Sequence, residues 1–185
     1  MFQAKNPGRG GASFGGKEKS KDGDRRDRRG RDRAGSDGVD KDLIQTTVEL
    51  ARVTRVTKGG KRMRFRACVV VGDKKGSVGF GVAKGADVTL ALSKAARQAK
   101  KNMVKIILEK GTTIPHVVYA KYKAAKVLLK PAPPGSGIIA GGSVRMVLEA
   151  AGVPDVVSKC LGSKSKINNI KATFEAIKKL RARRK

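Results

Sequence analysis

The chain has 185 residues, room for one large domain or two small ones, and carries 43 Lys and Arg against 15 Asp and Glu, a formal charge of +28. A compact body so charged repels itself unless a polyanion neutralises it, which leaves nucleic acid or anionic lipid as the partner. No apolar run approaches the roughly 20 residues that cross a bilayer, and Met1 to Gly38 holds no Val, Ile or Leu for a secretory signal, so a cytoplasmic protein without membrane insertion is expected.

Residues 1–41 are Gly, Arg and Asp with almost nothing to bury, and such a segment is expected to be a disordered arm. It holds 12 basic and 7 acidic residues, a net of +5, so +23 resides on residues 42–185. From Val48 to Thr57 the β-branched content predicts a strand, and Lys58-Gly59-Gly60-Lys61 a turn. Met63, Phe65, Ala67, Val69 and Val71 then alternate with Arg62, Arg64 and Arg66, the period of a strand with one buried face and an arginine comb on the other. Gly72 to Gly76 reads as a hairpin turn into a strand from Ser77 to Ala83, where Gly79 and Gly81 clear one face for another backbone or a ligand. Asp87 is placed to cap a helix whose inner stripe is Val88, Ala91, Leu92, Ala95, Ala99 and Met103, with Lys94, Arg97, Lys101 and Lys105 opposite.

A second unit begins near Ile106. Val117 to Tyr122 and Lys126 to Lys130 are predicted as paired strands, followed by a stiff Pro- and Gly-rich loop from Pro131 to Gly137. A helix starts near Gly141 or Gly142, runs to Ala151 and stops at Gly152, with Pro154 beyond it. Val156 to Leu161 is a short strand, and Ser163 or Ser165 caps a last helix with Ile167, Ile170, Phe174, Ile177 and Leu180 inward. The expected organisation is an arm at 1–41, a first module at 42–105, an α+β module at 106–182 and a basic tail at 183–185.

Little in the chain suggests catalysis. Cys68 and Cys160 lie far apart inside apolar runs and read as buried reduced thiols. His116, the only histidine, sits between Pro115 and Val117 as a strand-end residue, which argues against zinc sites and histidine triads. The loop from Pro134 to Ser143 leads into a helix N-terminus, where free N–H groups favour an anion. No Gly-Lys-Ser/Thr follows it, so it is not a Walker loop, and this half offers phosphoryl transfer only Glu109, Glu149, Asp155 and Glu175. Glu149 and Glu175 fall beside or between apolar helix positions, as surface ion-pairing residues do. The loop is instead read as an RNA-phosphate anchor or a protein interface, of which the interface is preferred. No enzyme activity, metal or cofactor is expected. With 4% aromatic residues and no Trp, recognition of RNA backbone and shape is favoured over base stacking. A free-standing double-stranded-RNA module at residues 42–105 and a small-molecule kinase are the alternatives.

Three segments together resemble one family. They are Lys58-Gly59-Gly60, Val70-Val71-Gly72-Asp73 through Gly76-Ser77-Val78-Gly79-Phe80-Gly81, and Gly137-Ile138-Ile139-Ala140-Gly141-Gly142 with Arg145, Val147-Leu148-Glu149 and Ala151-Gly152-Val153. Their order and spacing are similar to the bacterial small-subunit ribosomal protein S five over about residues 45 to 180. The resemblance implies a double-stranded-RNA-binding-like domain followed by a two-layer α/β sandwich, an overall α+β class, and a monomer placed in the ribosome rather than a homo-oligomer. It implies contacts with small-subunit ribosomal RNA and with the neighbouring proteins S four and S eight, a role in subunit assembly, and Arg52 close to where messenger RNA enters. The RNA-binding candidates are Arg52, Arg55, Lys58, Gly59, Gly60, Lys61, Arg62, Arg64, Arg66, Lys74 and Lys75. Gly137, Ile138, Gly141, Gly142 and Arg145 are the protein-interface candidates, at a surface where changes alter decoding accuracy. Two places depart from the family pattern: Lys74-Lys75 replaces its usual Gly-Asn, and Val82-Ala83-Lys84 its Tyr-Gly-Lys.

Overall fold

A computed structural model of the chain describes residues 43–109 and 111–181. The expected arm and the basic tail at 183–185 lie outside the described residues. The class is mixed α+β, with two four-stranded sheets and three helices among the described residues. In chain order these are β1 (Ile44–Thr57), β2 (Gly60–Gly72), β3 (Ser77–Gly85), α1 (Val88–Lys101), β4 (Met103–Lys105), β5 (Val118–Tyr122), β6 (Ala125–Pro131), β7 (Ile138–Ile139), α2 (Gly142–Ala151), β8 (Val156–Gly162) and α3 (Lys166–Lys179). No helix among them is long and apolar enough to cross a membrane.

The first sheet is ordered β1-β2-β3-β4, each neighbour antiparallel. Lys58 and Gly59 close the β1–β2 hairpin, with Thr57 paired to Gly60. The register shifts between Thr47 and Glu49, a bulge that turns the extra residue, Val48, into the core. α1 lies on the sheet through Ala91, Ala95 and Ala99, and the glycines of β3 explain how closely. A Cβ at Gly81 would land on the Ala95 carbonyl oxygen, and one at Gly79 on that of Ala99. The face cleared by glycine thus receives a backbone, one of the two occupants expected.

The alternation expected in β2 holds only in part. Ala67, Val69 and Val71 pack under α1, but Cys68 and Val70, which continue the face of the arginine comb, are equally buried. That face is covered by the second half of the chain. One cluster joins Val48, Cys68, Val70 and Val78 to Ile114, Val127, Val147, Leu148, Ile170 and Phe174. Conversely Met63, expected inside, is 51% exposed, because the hairpin runs beyond the reach of α1. α1 stops at Lys101, so Met103 and Lys105 belong to β4 rather than to the helix.

The second sheet is ordered β5-β6-β8-β7, with β7 parallel to β8 and the other pairs antiparallel. α3 packs on β5 and β6 through Ile170, Phe174 and Ile177. Ile167 is only half-buried, at the start of the helix. α2 ends where expected: Gly152 adopts φ +77°, and a Cβ there would meet the Lys74 carbonyl. Asp87 and Ser165 occupy the N-cap positions of α1 and α3, although neither side chain bonds to its helix. Val117 is exposed and precedes β5, and His116 sits in the bend before that strand.

Candidate nucleic-acid interface

The outer half of the β1–β2 hairpin carries the positive charge, and its pairing decides which charges share a face. Directly opposed residues of an antiparallel pair lie on one side of the sheet. Arg55 opposes Arg62, Val53 opposes Arg64, Ala51 opposes Arg66, and on the other side of β2 Lys84 opposes Arg66. Arg55, Arg62, Arg64, Arg66 and Lys84 therefore form one basic face, hollowed into a shallow depression of about 270 Å³ bordered by Arg55, Arg62, Arg64 and Lys84. Lys84 was not among the expected residues. Counting residues outward from the Gly72–Gly76 turn would have placed it opposite Arg66.

Among the described residues one carboxylate answers this face. Glu49 accepts from Arg66 Nη2 at 3.2 Å, with both side chains about a third exposed or less. Arg66 Nε is sheltered and has no acceptor among the described residues. Arg55, Arg62, Arg64 and Lys84 have no acidic partner there either. Like charges directly opposed across a strand pair destabilise it, and Arg55 and Arg62 are such a pair.

Arg52 and Lys61 fall on the opposite side, since Arg52 opposes Phe65 and Lys61 opposes Val56. There they stand among the exposed apolar side chains Leu50, Val56 and Met63. Lys58, Gly59 and Gly60 form the exposed tip. Lys74 and Lys75 are at the other end of β2, whose 13 residues span roughly 40 Å. Their turn is docked against the end of α2: the Lys74 N–H donates to the Ala150 carbonyl at 3.1 Å and the Gly76 N–H to that of Ala151 at 2.9 Å. The expected RNA-binding set is thus three places: a comb, its reverse face and tip, and a distant turn. In that turn Asp73 Oδ1 accepts the N–H groups of Lys75 and Ser77, both at 2.8 Å. Partial burial pushes the Asp73 carboxyl up, but these donors outweigh it and hold it below the usual range.

The interface candidates gather around β7. The Gly137 N–H donates to Asp155 Oδ1 at 2.8 Å, and the Gly137 carbonyl accepts from Val156 at 3.2 Å. Asp155, one of the carboxylates considered for phosphoryl transfer, is thereby spent on holding the loop. Gly137 adopts φ +69° with open space beside it, and Gly142 is open too, whereas a Cβ on Gly141 would press on Cys160 Sγ at 3.0 Å. Ile138 turns partly into the core while Ile139, which sequence reasoning passed over, is 57% exposed. Arg145 pairs along α2 with Glu149 at 2.9 Å and Lys178 along α3 with Glu175 at 3.6 Å, both on the surface, as expected for these glutamates. Cys68 is buried, and desolvation pushes its thiol up to about 11. Cys160 is only half-buried, contrary to expectation, because it sits towards the open end of β8.

Comparison with known families matches ribosomal protein S5, N-terminal domain, to residues 43–107 and ribosomal protein S5, C-terminal domain, to residues 120–185. The two matches cover well over half of the chain and follow the two sheets. The chain therefore belongs to the ribosomal protein S5 family and is a structural protein of the small ribosomal subunit.

Proposed function

We propose that the chain binds small-subunit ribosomal RNA through the basic face of the β1–β2 hairpin and a neighbouring protein through the surface around β7. The observation that carries the reading is the cluster Arg55, Arg62, Arg64 and Lys84, four cations without a carboxylate among the described residues. Guanidinium groups on a rigid strand reach phosphates of separate RNA segments with paired hydrogen bonds. Arg52, on the reverse face, serves where messenger RNA enters. Lys58, Gly59 and Gly60 carry the contact to the tip, and Lys74 and Lys75 form a separate contact at the far end.

Gly137, Ile138, Gly141, Gly142 and Arg145 meet the S four neighbour, and S eight is a second protein contact. Open space beside Gly137 and Gly142 leaves their backbone accessible to a partner, and a large residue at Gly137 would change decoding accuracy. The chain works in cytoplasmic ribosomes, contributes to subunit assembly, and acts by charge neutralisation and shape rather than by turnover. The test is uptake of the tagged full chain into small subunits, followed by sedimentation at low and high salt. Co-sedimentation with the subunit through both conditions is expected. Recovery as free protein under conditions that keep the subunit intact overturns the reading.

A further inference from the structure

Aromatic residues are few, yet the fold gathers them. Of the five among the described residues, Phe80 of β3, Tyr122 of β5 and Phe174 of α3 line one cleft of about 420 Å³, with Lys171 and Lys178 also in its wall. Phe174 is buried and forms the floor, and Phe80 leans on it with ring centroids 4.6 Å apart at 51°. Lys171 Nζ donates to the Tyr122 hydroxyl at 3.3 Å and lies 5.1 Å from the ring centroid. The ammonium thus sits nearer the hydroxyl than the ring centre, and Tyr122 is only partly buried. Asn102, at the α1–β4 corner, adds an exposed amide. Glu175 is held by Lys178.

We propose that this cleft receives a single nucleobase unstacked from the RNA, with Lys171 on a phosphate that flanks it. The proposal rests on RNA being the partner of the chain. A flat π surface is the ligand that half-buried aromatic walls accept without regard to base identity. A phosphate beside the flipped nucleotide supplies the anion for Lys171, while Lys178 stays with Glu175. Unstacked nucleotides at bulges and loops are the elements of folded RNA that proteins reach in this way. The hairpin face then reads backbone, and the cleft marks an irregularity in the helix.

The full chain is titrated with two RNA duplexes of about 16 base pairs, one fully paired and one with a single bulged fluorescent adenine analogue. Roughly tenfold tighter binding of the bulged duplex is expected, with a change in analogue fluorescence on binding. Tyr122→Leu, which deletes the ring but keeps an apolar side chain, removes that preference and leaves affinity for the paired duplex unchanged. Lys171→Gln, at the half-exposed rim, weakens the bulged complex alone and serves if the first variant melts early. Equal affinity of the unaltered chain for both duplexes overturns the proposal, as does a preference that survives both substitutions. Failure to bind either duplex overturns instead the reading of the chain as RNA-binding.

Discussion

Removing two guanidinium groups from the hairpin face separates a built site from bulk charge. Each phosphate contact releases counterions and contributes about 0.7–0.9 to the slope of log affinity against log salt. Arg55, Arg62, Arg64 and Lys84 are exposed and unpaired among the described residues, whereas Arg66 is held by Glu49. Four contacts on this face thus account for a slope of about 3, and Arg62→Gln with Arg64→Gln lowers it by about 1.4 to 1.8. The variant folds, since it relieves the Arg55–Arg62 opposition. The assay is fluorescence anisotropy of the full chain with small-subunit RNA fragments across a salt series. The control is Lys94→Gln with Lys101→Gln, which removes the same charge from α1, on the other side of the sheet from the comb. Equal slope losses in the two variants would refute the reasoning, because RNA would then be sensing net charge rather than the comb.

Gly81→Ala drives a methyl into the Ala95 carbonyl. Overpacking of this kind costs about 1–3 kcal/mol, a fall of several degrees in Tm at this chain length, while Gly59→Ala, with open space around it, leaves the thermal melt unchanged. Cys68 keeps its proton above the ordinary thiol value of 9.0, up to about 11. The folded state therefore loses stability as pH rises from 9 towards 11, and in denaturant melts Cys68→Ala reduces that loss. Mass spectrometry after brief alkylation at neutral pH labels Cys160 before Cys68. Asp73 has the opposite sign: its folded carboxyl is held below the usual range, so its stabilisation is present above the ordinary Asp value and disappears as pH falls through the folded one. Asp73→Asn flattens that acid limb, and an unchanged limb would show that the two N–H bonds are not coupled to folding.

Features that depend on neighbouring residues were legible in the sequence. α2 is an example, since a positive φ at Gly152 and a proline two residues later end a helix whatever surrounds it. The Lys58-Gly59 turn is another, and counting pairs back from it places Arg55 against Arg62. Features that depend on what covers a surface were not. β2 reads as half-buried by alternation, yet Cys68 and Val70 are inside because residues some 60 to 100 positions later close over them. β4 and β7, three and two residues long, have no period to detect.

The same contrast governs the site. Grouping Arg52 with Arg62, Arg64 and Arg66 joins a position taken from the family pattern to a comb read from strand periodicity, but a side chain's face is set by register, and Arg52 falls opposite Phe65 on the reverse side. Composition counts aromatics along the chain and finds them scarce, which favours backbone recognition. Folding brings positions 80, 122 and 174 into one cleft, so a low overall count is compatible with one local surface able to hold a base. Charge decides that the partner is a polyanion, register decides which cations act together, and tertiary packing decides whether anything besides backbone can be read.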